Sequence, residues 1–167
     1  MAKKTITLTL YVSELVYDIQ NKTYLTGRSR QTGSNHEEVA NMQANDDDEN
    51  ANQVIRSIQN AFGTLKTKLA EWLNDDGTTS SDELMSITDK STLEVVLNMP
   101  SNYNSSTRDA ISAALHQYIV NTAIGDWFTI TDKADASDYF TLATNNLEAI
   151  REAVNKRLRP TRQSVDK

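Results

Sequence analysis

Residues 121–140 read NTAIGDWFTITDKADASDYF, and two helical patterns meet inside them. Upstream, Ile111, Ala114, Leu115, Tyr118, Ile119 and Thr122 recur at three- and four-residue steps, with Ser105 or Ser106 suited to cap the helix. Downstream, Tyr139, Ala143, Leu147, Ile150, Val154 and Leu158 form a second stripe that Pro160 ends. Thr131 or Asp132 suits the start of that second helix. So short a connection favours antiparallel neighbours, and the stretch reads as the elbow of a helical hairpin. Trp127 and Phe128 fall at this elbow, after Ala123, Ile124 and Gly125, which let backbones approach closely. Burying each such aromatic is worth roughly 1.5–3 kcal/mol. They are expected to be covered by the core of this chain or by a pocket on a neighbouring one.

A third helical stripe lies further back. Val54, Ile55, Ile58, Ala61, Phe62, Leu65, Leu69, Trp72 and Leu73 keep helical spacing until the turn residues Asn74-Asp75-Asp76-Gly77. Gly63 interrupts the stripe at a cost of about 1 kcal/mol relative to Ala, which the close approach of another backbone would explain. Asp46-Asp47-Asp48-Glu49 precedes this helix and complements its dipole; EF-hand spacing is absent there. At the start of the chain, Ile6, Leu8, Leu10 and Val12 alternate with Thr5, Thr7, Thr9 and Tyr11, the period of a half-buried strand. Ser13 is placed to cap a short helix carrying Leu15, Val16 and Ile19, and Gly27 to end it. ELMSIT and TLEVVLNM, on either side of Asp89-Lys90-Ser91, read as a β-hairpin over 84–99.

Between these elements, residues 28–50 sustain no period and are expected to form an extended polar arm or loop anchored by Val39 and Met42. Residues 160–167 read as a polar tail. The expected fold class is α+β, predominantly helical: a single domain over 1–167, built as a bundle of three to four helices with an N-terminal strand and a β-hairpin. The length suffices for a sizeable core, while 38% hydrophobic and 7% aromatic residues leave much surface polar.

Charge is segregated along the chain. Residues 1–30 hold five basic against two acidic residues, 31–149 six against nineteen, and 150–167 six against two. The acidic middle opposes wrapping of duplex DNA, whereas basic ends and an acidic middle can match head-to-tail between copies. There is no cysteine, so disulfide and thiol chemistry are excluded. No apolar run approaches the roughly 18–20 residues of a membrane span, and the N-terminus makes a poor signal peptide. A soluble protein working or assembled inside a cell is expected.

Catalytic chemistry finds no foothold. His36 lies beside Glu37 and Glu38 in the arm, His116 lies mid-helix, and neither has a partner at helical zinc spacing. There is no nucleophile elbow, no Walker loop and no dinucleotide fingerprint. The expectation is a protein that is not an enzyme and needs no metal or cofactor. The residues that stand out are candidates for an interface. Arg28 and Arg30, in TGRSR, follow a helix end. Arg151, Lys156, Arg157, Arg159 and Arg162, in REAVNKRLRPTR, crowd the last turns of another. These complement a helix dipole, plug into an acidic partner or contact phosphate. Trp127 and Phe128 complete the set.

The stretch SSTRDAISAALHQYIVNTAIGDWFTITDKADASDYFTLATNNLEAIREAVNKRLRPTR resembles phage and prophage proteins of gut Bacteroidetes, of the sort found among virion genes. YVSELVYDIQNKTYLTGRS is similar to the same set. More distantly, the helical hairpin with its aromatic elbow, Ser105–Arg162, resembles the head–tail connector (adaptor) proteins of tailed phages. The N-terminal strand and the 84–99 segment depart from that pattern. The resemblance implies a mainly helical subunit of a ring, usually of twelve identical copies, in the neck of the virion. Its partners would be the portal protein and tail proteins, with genomic DNA passing through the channel without sequence recognition, and no membrane. Assembly would take place in the host cytoplasm. A tail-completion or capsid-associated protein is the neighbouring reading. A regulatory nucleic-acid-binding module using Arg151–Arg162 is the reading of another class.

Overall fold

In KTITLTLY the inward residues Ile6, Leu8 and Leu10 are buried while Thr5, Thr7, Thr9 and Tyr11 face solvent, so the alternation becomes strand β1 (Lys4–Tyr11). The computed structural model describes residues 3–161. After β1 come α1 (Val12–Ser29), α2 (His36–Met42), α3 (Asp48–Lys68), β2 (Thr92–Met99), α4 (Arg108–Thr131) and α5 (Lys133–Val154). A 3-10 turn, Ser105–Thr107, leads into α4. The chain is therefore α+β and predominantly helical. Among the described residues no helix is long and apolar enough to cross a membrane.

The two strands form an antiparallel sheet in which Thr7 lies opposite Val96 and Lys4 opposite Met99. The hairpin expected over 84–99 is corrected: β2 takes β1 as its partner, 81 residues or more away in sequence, and 84–91 is not a strand. The reason is that both edges of β2 are already used. Away from β1, Asn74 and Thr79 donate backbone N–H groups to Val96 O and Glu94 O, at 2.8 and 2.9 Å, and Asn98 N–H donates to Trp72 O at 2.7 Å. Residues 83–86 are held instead by Gln59, whose amide donates to Glu83 O and accepts from Ser86 N–H.

α4 and α5 form the expected antiparallel hairpin, and the aromatic pair Phe128–Tyr139, with ring centroids 5.4 Å apart, closes it near the elbow. A Cβ on Gly125 would fall 2.7 Å from the Phe140 ring, so this glycine is what lets the two helices meet there. α1 runs alongside α4, and α3 packs on another of its sides. One hydrophobic cluster joins all of these elements.

Several local expectations shift. The strand passes directly into α1, so Ser13 is not a cap, and Gly27 lies inside the helix rather than at its end. A Cβ there would stand 3.0 Å from Val39 O, so Gly27 admits α2 against α1. Gly63 has nothing within 4 Å of a built Cβ, so the close approach expected for it is not found. The 28–50 arm is not extended: α1 runs on to Ser29, α2 occupies its middle and α3 begins at Asp48. Its foreseen anchors do work, since Met42 is buried and Val39 half-buried.

Buried Thr23 fastens the return of this segment. Its hydroxyl donates to Ile19 O at 2.8 Å and accepts from Ala44 N–H at 3.1 Å. Thr23→Val keeps the shape but leaves Ala44 N–H unpaired in the core. Denaturant unfolding is expected to show a loss of about 1–3 kcal/mol, with an unchanged slope; a loss within error would mean this bond does not hold the α2–α3 link.

Candidate assembly surface

The bundle has two ends, and the sequence candidates divide between them. At the first end α1 finishes, α2 crosses, α3 begins and α4 turns into α5. Trp127 and Phe128 are not in the elbow but within the last two turns of α4; the elbow is Asp132, whose carboxylate accepts from Ala134 N–H and caps α5. Trp127 donates its indole N–H to Met42 O at 2.8 Å and is 7% exposed, and Phe128 is fully buried. This chain therefore covers both aromatics, and neither is free to anchor a neighbour. An exposed apolar side chain here is Ile130, at 68%. It flanks a groove of about 320 Å3 with Asn50, Gln53 and Thr131.

Arg30 caps α1 and pairs with Asp135 on the first turn of α5, while Arg28 points into solvent from the last turn of α1. The other Asp135 oxygen is buried without a hydrogen-bond partner among the described residues. Thr26 and Tyr139 share a hydrogen bond of 2.7 Å beside this pair. Arg30 is thus a latch between helices, a role that sequence reasoning could not assign across 105 residues. Around it the surface is acidic: Glu37 and Glu38 on α2, Asp46 to Glu49 at the start of α3, Asp132 and Asp138 beside the elbow.

The second end is where α4 begins and α5 finishes. Past α5 the backbone bends back: Leu158 N–H donates to Asn102 O at 2.8 Å, Asn104 N–H donates to Lys156 O at 3.1 Å, and Arg157 forms a bridge with Tyr103. Lys4 Nζ donates to Tyr103 O from β1, so the basic start and the basic end of the chain meet here. Arg151 pairs with Glu148 at 3.2 Å and Lys156 with Glu152 at 2.7 Å. The hydrogen bond and charge of Lys156 hold the Glu152 carboxyl below its usual range. Arg157 donates to Val154 O, closing the helix end, and Arg159 is exposed. Arg162 lies outside the described residues.

The structure thus brings Lys156, Arg157 and Arg159 together with Lys4 and Arg108, and sets Arg28 and Arg30 at the opposite end. Between the ends lies a polar seam: His116 meets Asp18 at 2.7 Å and Lys22 donates to Gln117 at 2.6 Å, joining α4 to α1. Burial lowers the Lys22 pKa, against the attraction of Asp18. Among the described residues no group of three or more His, Cys, Asp or Glu is placed to hold a metal ion. No family model, curated protein or solved structure matches the chain.

Asp126, half-buried on α4 beside Trp127, has no hydrogen-bond or ion-pair partner among the described residues, and burial raises its pKa. The folded state therefore holds this proton more tightly than the unfolded chain, and Asp126 costs stability once the pH rises through its raised pKa. Asp126→Asn is expected to raise the melting temperature at neutral pH, with the gain fading as the pH falls to the ordinary aspartate range. Melting curves across pH check this; a gain that does not depend on pH would remove the electrostatic explanation.

Proposed function

We propose that this chain is a structural subunit of a tailed-phage neck, a head–tail connector whose copies assemble into a ring on the portal and extend the DNA channel. The supporting observation is the division of charge between the two ends of the bundle. A closed ring needs two different, complementary patches on each subunit. The acidic end around α2 and the start of α3 and the basic end around Lys4, Lys156, Arg157 and Arg159 form such a pair. Exposed charges contribute little affinity one by one, about 0–1 kcal/mol each. They do orient an encounter and reject like-charged faces. Within this proposal, the virion location and the portal and tail partners rest on the resemblance of Ser105–Arg162 to connector proteins.

The reading makes a paired prediction. Light scattering after size exclusion is expected to show assemblies at low salt that shrink as salt screens the ends. Arg157→Glu with Arg159→Glu is expected to abolish them, and mixing this variant with Asp47→Lys/Asp48→Lys to restore association. Mass spectrometry of purified particles should find the chain alongside the portal. A chain that stays monomeric at low salt and in the presence of portal, and is missing from particles, would sink the proposal.

A further inference from the structure

The outer edge of β1 is open. In an antiparallel ladder, residues alternate between exchanging both backbone bonds with the partner strand and pointing both groups away. Glu94, Val96 and Asn98 use their backbone groups on the side away from β1: Thr79 and Thr78 bind Glu94 and Val96, and Trp72 binds Asn98. Their partners in register, Thr9, Thr7 and Thr5, must point theirs away from β2. Val12 N–H, bonded to Ser91 O at 3.1 Å, continues the same parity. Among the described residues one bond reaches this edge, from the Arg108 guanidinium to Thr7 O at 2.7 Å. The N–H groups of Thr5, Thr7 and Thr9 and the carbonyls of Thr5 and Thr9 have no partner among the described residues.

Natural edge strands are protected by proline, by bulges, by shortness or by charge. β1 is eight regular residues without proline, glycine or an outward charge between Thr5 and Tyr11. Beside it runs a groove of about 460 Å3, bounded by Thr9 to Tyr11 on one side and by Asp109, Ser112 and Ala113 of α4 on the other. The small side chains of Ser112 and Ala113 leave room along the edge.

We infer that the open edge of β1 pairs with β1 of a second copy, antiparallel and centred on Thr7, to give a continuous four-stranded sheet in the order β2–β1–β1–β2. The edge is self-complementary. With Thr7 opposite Thr7 of the mate, Thr5 lies opposite Thr9, and each outward N–H meets an outward carbonyl. Threonine pairs across strands are favourable. The same register sets Lys4 opposite Leu10 and Lys3 opposite Tyr11, so the basic start of each strand lies against the end of the other, near Glu14 in the first turn of α1. Arg108 must release Thr7 O for the strands to close, which makes it the guard of this edge. The contact is two-fold and rests on backbone bonds, so it does not depend on the salt-sensitive, head-to-tail contact proposed above.

Hydrogen exchange on the intact chain, in high salt and over a range of concentrations, tests the pairing. At low concentration the Thr5, Thr7 and Thr9 amides should exchange freely while those of Ile6, Leu8 and Leu10 are protected. As concentration rises, the three threonine amides should slow by about tenfold or more as a dimer forms in light scattering. Thr7→Pro removes one outward N–H and no bond to β2, a substitution that an edge tolerates; it should keep the melting curve and lose the dimer. Arg108→Ala should strengthen the dimer. Threonine amides that exchange freely at every concentration would overturn the inference, as would a folded Thr7→Pro variant that dimerises like the parent. If Thr7→Pro does not fold, the exchange pattern of the parent decides. Loss of association in high salt with the threonine amides unprotected would leave the head-to-tail contact standing and remove this one.

Discussion

The burial of α4 places the other elements. From Ile111 to Phe128 this helix turns apolar side chains in nearly every direction, and twelve of its residues are buried. A helix that is apolar all round has to be covered all round. α5 covers one side, closely enough to need Gly125 where Phe140 crosses. α3 and α1 cover others, and the inward side chains of the sheet join the same core. What remains is the Trp127 end, and α2 closes it by offering Met42 O to the indole. A seven-residue helix of HEEVANM would not form alone in water; it exists because the end of α4 has to be capped.

The same dependence explains which parts of the fold were legible in the sequence. β1, α3, α4 and α5 each carry a periodic stripe long enough to name the element and its buried face. What could not be read was whatever depends on a distant partner. ELMSIT alternates less cleanly than TITLTL, but it lies nearer in sequence, and nothing local says that β2 will choose the second. That choice follows from residues 72–79 taking the far edge of β2, a long-range event with no period of its own. The arm at 28–50 shows only two apolar anchors, and its helix is held by bonds to Thr23 and Trp127, 21 and 85 residues distant. Trp127 and Phe128 were placed at the elbow because the aromatic cluster drew the boundary; in the structure the helix continues for a further turn to Asp132. The start of α5 was legible, since Asp132 is the cap that the sequence offers and Asp135 follows three residues on. The pairing of Asp135 with Arg30 had no such signal.

The charged ends have two origins, and separating them bears on the candidate surface. Part of the division is local helix chemistry. Glu37, Glu38, Asp48, Glu49 and Asp135 lie in the first turns of α2, α3 and α5, and Lys66, Lys68 and Arg151 in the last turns of α3 and α5, where each sign complements the dipole. α3 and α5 both start at the first end, whereas α4 starts at the second and α1 runs alongside it, with Asp109 and Glu14 in their first turns and Arg28 in the last turn of α1, so these local preferences partly cancel along the bundle.

The remainder has no such account. Lys156 and Arg157 still serve the end of α5, through Glu152 and Val154 O, but Arg159 lies beyond it, and the chain there is bent back by backbone bonds to Asn102 and Asn104. That fold-back brings them to Lys4, from the opposite end of the sequence, although like charges repel when gathered. A solvated tail left to itself would spread those charges apart. Glu152 offsets part of the cost of holding them together, and in the proposed assembly an acidic surface of the neighbour would offset more. The first end of the same molecule carries acidic groups, of which Asp47 stands at the N-cap of α3 and Asp46, bonded to Gln20, lies before it. In the assembly proposed above, the charge at each end beyond what the helix dipoles call for is the part of this surface that would meet a neighbour.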